Sequence, residues 1–109
     1  MKNGADEADK ASMRLKDLQL TSELLAEAVA QENGARERVA EKHGIQKSVI
    51  TNRVRRIEQF FGVNLFEGPQ RKTPTSAGKW MAKYGPEIVT EIEQFAERLR
   101  DVSERDEVH

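Results

Sequence analysis

Apolar residues recur at helical spacing along most of this chain, and the rhythm breaks at glycine, proline and asparagine. Leu24, Leu25, Ala28 and Val29 form the first clear apolar stripe, with Thr21 or Ser22 as N-cap candidates and Asn33-Gly34 as the stop. Leu15 and Leu18 continue the spacing upstream through Ser22, so the pattern leaves open whether this helix starts earlier. A short second helix fits Ala35 to Lys42 or His43, with Val39 and Ala40 turned inward and Gly44 ending it. A third runs from about Gln46 to Phe61, where Ile50, Val54, Ile57 and Phe61 follow a 4-3-4 spacing on one stripe. Two short helices joined at Gly44 make a helix-turn-helix pattern.

After Gly62 the period changes. Val63 to Glu67 is short, apolar and β-compatible, Gly68-Pro69-Gln70-Arg71 supplies a turn, and Lys72 to Thr73 returns as a second strand. Pro74 then ends the strand, and Thr75 is a good N-cap for a final helix. That helix meets Gly85-Pro86, which predicts a kink there or a break into 76–84 and 86–104. The expected fold is mainly α with a small β-wing: a winged helix-turn-helix over 13–75, followed by a long C-terminal dimerisation helix over 76–104. Residues 1–12 read as a disordered lead-in and 105–109 as a tail.

The final helix carries its own signal. Met81, Tyr84, Ile88, Ile92, Phe95, Leu99 and Val102 are spaced 3, 4, 4, 3, 4 and 3, averaging 3.5 residues, which is a coiled-coil seam. A domain this small cannot cover all of it alone, so the seam predicts a homodimer. The competing reading folds it back onto the chain's own first helix at Leu15 and Leu18.

With 109 residues the chain has room for one domain. No apolar run approaches the roughly 20 residues of a membrane span, and the N-terminus lacks a signal peptide's apolar core, so a cytoplasmic protein is expected. There is no cysteine, and the two histidines, His43 and His109, lie far apart, so neither a metal site nor a cofactor is expected. The net charge of -1 hides an asymmetry. Residues 36–83 carry 11 Lys/Arg against 4 Asp/Glu, a net of +7, between a -3 N-terminal and a -5 C-terminal block. A basic middle between acidic ends is the footprint of a polyanion binder, and the acidic ends offer a surface for another protein.

On a helical wheel the third helix sets Ser48, Asn52, Arg55, Arg56 and Gln59 opposite its apolar stripe, with Lys47 and Thr51 toward one flank. These side chains donate and accept at base edges and phosphates, and no carboxylate lies at the centre of the face. Arg71 and Lys72 in the hairpin turn add a basic tip that reaches the DNA backbone or minor groove. An enzyme fits poorly, because no nucleophile–base pair and no phosphate-cradling glycine loop occurs.

The stretch SVITNRVRRIEQFFGVNLFEGPQRKTPTSAG, residues 48–78, resembles the winged helix-turn-helix of LysR-type transcriptional regulators. The family's elements read here as Thr51 to Val54, Ile57-Glu58, Gly62-Val63-Asn64-Leu65-Phe66 and Pro74-Thr75-Ser76-Ala77-Gly78. The likeness extends more weakly over about residues 21–103, and the DNA-binding half of the molybdate regulator ModE is similar too. The resemblance implies DNA contacts at Lys47, Ser48, Thr51, Asn52, Arg55 and Arg71, a structural role for Glu58, Leu65 and Phe66, and pairing of two subunits through the last helix. Lys47, Asn52, Gly68 and Pro74 depart from the family's usual residues, so no operator sequence transfers. His43 stands where the family usually has Leu, and reads as a partly buried, hydrogen-bonded histidine.

The chain ends where that family's effector domain would begin, so no small-molecule effector is expected. The function expected is a homodimeric, sequence-specific regulator binding double-stranded DNA at a short palindromic operator. The alternative is an architectural or accessory DNA-binding protein of a mobile element, such as an excision, partition or nucleoid factor.

Overall fold

The structure, a computed structural model, describes residues 13–108. The lead-in expected over 1–12 lies outside the described residues, as does His109. Three helices, α1 (Leu15–Ala30), α2 (Ala35–His43) and α3 (Lys47–Phe61), precede a hairpin of β1 (Phe66–Glu67) and β2 (Thr73–Pro74) and a terminal helix, α4 (Ser76–Val108).

The first helix begins at Leu15, so Thr21 and Ser22 are not its caps. They lie mid-helix, 0% and 2% exposed, because α2, α3, α4 and β2 all pack around α1. A helix enclosed on most sides has no wide polar face, and small hydroxyl residues occupy the places where neighbours come closest. Ser22 meets Gly85 of α4 at a distance that leaves no room for a β-carbon. Leu18, Leu24 and Leu25 of α1, Val39 of α2, Ile50, Val54 and Ile57 of α3, and Leu65 and Phe66 form one continuous core. Burying each such side chain contributes about 1.5–3 kcal/mol.

Two expected core positions are exposed instead. Val29 is 53% exposed near the end of α1, where Ala28 takes the inward place. Phe61, 46% exposed, ends the α3 stripe beyond the packed layer and meets Phe60 edge to face.

Gly44, at φ 65°, closes α2 in the left-handed conformation that glycine adopts without strain. The next amide, Ile45 N–H, returns to the Ala40 carbonyl at 3.0 Å, and α3 starts two residues later. This tight turn sets α3 across α1 and leaves its polar side outward.

The wing is shorter than expected and includes Pro74. Phe66 pairs with Pro74 and Glu67 with Thr73, antiparallel. Thr75 N–H donates to the Leu65 carbonyl at 3.0 Å, so Phe66 and Pro74 face each other without exchanging bonds. At such a position the missing proline N–H costs the ladder nothing, and the proline continues the strand.

Thr75 caps α4 as expected, its Oγ1 accepting the Gly78 N–H at 3.0 Å. The helix then runs unbroken for 33 residues, through Pro86 and on past 104 to Val108. Of the kink or break expected at 85–86, the break is absent, and residues 105–108 are helix rather than tail. Proline removes one hydrogen bond, while packing on both sides of it holds the helix to the domain. Gly85 sits against Ser22, and Val89 is buried in the core at 4% exposure.

Candidate nucleic-acid interface

The second helix of the helix-turn-helix is α3, amphipathic along its whole length. Ile50, Val54 and Ile57 pin one side into the core, which fixes the helix's rotation. The opposite side therefore presents Ser48, Asn52, Arg55 and Gln59 to solvent, with Thr51 half-buried at its edge. Within this exposed set the only formal charge is the Arg55 guanidinium, so the face offers donors and acceptors with no carboxylate to repel a phosphate.

Lys47, in the first turn of α3, lies 3.0 Å from Glu37 of α2. The hydrogen bond from Lys47 holds the Glu37 carboxyl below the usual range. Both groups are exposed, so water and salt screen the pair and Lys47 exchanges readily to a competing anion.

Arg56 does not stand free. Its Nη1 reaches the carboxylate of Asp17 on α1 at 3.4 Å, and Arg53 Nε approaches the other oxygen at 3.6 Å. Asp17 is 1% exposed. A buried carboxylate needs such partners, since an isolated one would be costly to desolvate. Sequence reasoning passed over Asp17. Its one signal was an acidic residue between Leu15 and Leu18, at the start of the apolar repeat.

The wing positions are held inward. Arg71 adopts φ 49°, unusual for a residue with a β-carbon, and its guanidinium pairs with Glu58 of α3. Glu58 is itself buried and also accepts the Leu65 N–H at 2.8 Å. Arg71 and Arg55 line one cleft with Gln59 and Asn64, on the wing side of the exposed α3 face. Lys72 turns the other way, its Nζ 3.0 Å from Asn33 Oδ1, and shares a cleft with Lys47, Arg36 and Gln70. Arg36 lies over the Phe66 ring at 4.8 Å, a cation–π contact that covers the wing's base. Burial, and then the charge of Arg71, lower its pKa. The structure thus gathers Lys47, Ser48, Thr51, Asn52, Arg55 and Arg56 on or beside one helix face. Arg71 and Lys72 it sets on two different sides of the wing.

His43 is hydrogen-bonded, as expected, through Nε2 to Glu23 of α1 at 2.9 Å, but it is exposed rather than partly buried, because it ends α2 at the surface. Among the described residues no group of three His, Cys, Asp or Glu side chains is placed to hold a metal ion. None of the described helices is long and apolar enough to cross a membrane.

The seam residues divide at the edge of the domain. Met81 and Tyr84 are half-buried and line an apolar groove of about 560 Å³ with Leu18, Phe61 and Trp80. Ile88, Ile92, Phe95, Leu99 and Val102 are 37–60% exposed along the outer length of α4. The fold-back reading holds only for the first half of α4. Trp80, 69% exposed beside the seam, escaped the heptad pattern because it sits one position off the stripe.

Residues 24–79 match the sequence model of the bacterial regulatory helix-turn-helix proteins of the LysR family. No curated protein and no solved structure matches the chain. The matched stretch runs from the middle of α1, through the helix-turn-helix and the wing, to the first turn of α4. It takes in the polar α3 face and the Glu58–Arg71 anchor. The chain belongs to the LysR family of bacterial regulatory helix-turn-helix proteins, which are DNA-binding transcriptional regulators.

Proposed function

We propose that this chain is a homodimeric regulator that reads a short, near-palindromic operator in double-stranded DNA, each protomer laying α3 in a major groove. The observation that carries the reading is the exposed side of α3, where Ser48, Asn52, Arg55 and Gln59 stand together without a carboxylate. Asn52 has the chemistry to pair bidentately with an adenine edge, and Arg55 with guanine or a phosphate. Lys47, Thr51 and Arg56 support the same groove, while Arg71 and Lys72 approach the backbone on either side of the wing.

Pairing follows from the outer stripe of α4. Five large apolar side chains from Ile88 to Val102 lie exposed along one helix, far more than a stable monomer leaves in water. Two copies joined there would set their α3 helices about 34–36 Å apart, one turn of DNA. The -5 charge of residues 84–109 fits this arrangement, since it keeps the paired helices clear of the phosphates. The protein then works on the nucleoid, and the acidic composition of its two ends suits a protein partner.

Selection of bound duplexes from a random pool tests the reading, followed by titration of the Asn52→Ala variant on the selected site. The wild-type protein enriches one two-fold related sequence, and Asn52→Ala loses about 1–3 kcal/mol of discrimination at one position per half-site. Enrichment of bendable sequence without a palindrome supports an architectural DNA binder instead. Binding that ignores sequence and salt removes DNA reading altogether.

A further inference from the structure

A second charged feature lies beside α3, on the flank away from the wing. The first turn of α1 and the side of α3 enclose a cleft of about 300 Å³, lined by Arg14, Lys16, Asp17, Asn52, Arg53 and Arg56. Four cations meet one carboxylate there. Asp17 is buried and engages Arg53 and Arg56, which fixes those two guanidinium groups against the cleft wall. Arg14 and Lys16 are exposed at its mouth. The cleft thus keeps three positive charges beyond the one that Asp17 offsets.

A helix lying in a major groove about 12 Å wide has a phosphate strand on each side. In the cleft between α3 and the wing the cations are Arg55 and Arg71, and Arg71 is committed to Glu58. The cleft on the α1 side holds twice as many cations as that one, and Asn52 marks the boundary between it and the exposed face. Long basic side chains at the end of one helix, braced against the flank of another, suit a row of phosphates. They are poorly placed to discriminate base edges.

We propose that this cleft is a backbone clamp: Arg14 and Lys16, with Arg53 and Arg56 held by Asp17, grip the phosphates of the DNA strand opposite the wing. The clamp rests on the reading that α3 enters the major groove. It adds affinity and orientation and carries no sequence information.

The test uses the full chain and a random-sequence duplex, titrated by fluorescence anisotropy between 50 and 200 mM salt. An Arg14→Gln, Lys16→Gln double variant alters only exposed side chains, and an unchanged unfolding midpoint verifies its fold. Two lost phosphate contacts flatten the slope of log K against log salt by about 1.8, since each contributes about 0.9. On a selected operator the variant loses the same slope while the ranking of mutated sites stays as in wild type. A double variant with the wild-type slope overturns the clamp and leaves the α3 reading intact. Wild-type protein with no salt-dependent binding overturns the α3 reading itself.

Discussion

Glu58 on α3 and Arg71 in the wing turn form an ion pair that ties the recognition helix to the hairpin. The same carboxylate accepts the Leu65 N–H, so one buried side chain joins α3, the residue leading into β1 and the wing turn. Glu58→Ala leaves that amide unsatisfied and is expected to cost about 1–3 kcal/mol in urea unfolding. Arg71, 35% exposed, recovers part of its loss by hydration. A variant within about 0.5 kcal/mol of wild type would show that the wing holds without the pair.

Arg71 and Arg55 line the same cleft, yet their substitutions separate. Arg55 has an exposed side chain on the reading face, so Arg55→Ala should flatten the salt slope by about 0.9 and leave the unfolding midpoint alone. Arg71→Ala should lower stability as well, because it also removes the partner of Glu58. Equal midpoints for the two variants would contradict this assignment.

Two glycines in α4 decide how near it lies to the rest of the domain. A β-carbon at Gly85 meets the Ser22 side chain, and one at Gly78 meets the Leu65 carbonyl and Leu25. In an exposed helix, Gly→Ala stabilises by about 1 kcal/mol. Here overpacking reverses the sign, and each substitution is expected to destabilise by about 1–3 kcal/mol in thermal melts. Should Gly85→Ala raise the melting temperature, α4 packs less tightly on α1 than described.

The Glu23 carboxyl, on α1, faces Lys42 Nζ at 2.7 Å and His43 Nε2 at 2.9 Å. Partial burial works to raise its pKa, but the hydrogen bonds from Lys42 and His43 outweigh it and hold the group below its ordinary value. A folded-state pKa below the unfolded one contributes stability that is complete above about pH 4.3 and fades as the pH falls through the folded value. Glu23→Gln should therefore lower stability at pH 7 and lose less on acidification than wild type. Parallel unfolding midpoints from pH 7 to 3 would remove Glu23 from the acid response.

The exposed stripe on α4 makes a separate demand. Asp at both Ile92 and Phe95 should convert a dimer sedimenting at tens of micromolar to a monomer, and take with it most of the specific DNA affinity. Neither position touches the buried core, so helix content should persist. Wild type sedimenting as a monomer at that concentration would end the dimer reading.

Local pattern was enough to specify the helix-turn-helix. Ile50, Val54 and Ile57 repeat at helical spacing, and Gly44 and Gly62 end their helices wherever they are packed, because both signals depend on neighbours a few residues away. The polar face of α3 was legible for the same reason: fixing the buried stripe fixes what lies opposite. Four features were decided only by the fold. Thr21 and Ser22 look like caps until the helix is seen to start at Leu15 and to bury both, Ser22 against Gly85, and Pro86 looks like a break until Gly85 and Val89 are seen packed on either side. Pro74 looks like a strand end until its partner proves to be at a position without ladder bonds. Arg56 and Arg71 look like free cations until Asp17, 39 residues from Arg56 along the chain, and Glu58, 13 from Arg71, meet them in space. Periodicity records which side of a helix turns inward, whereas close approach and ion pairing depend on which distant element arrives there, and no local repeat encodes that.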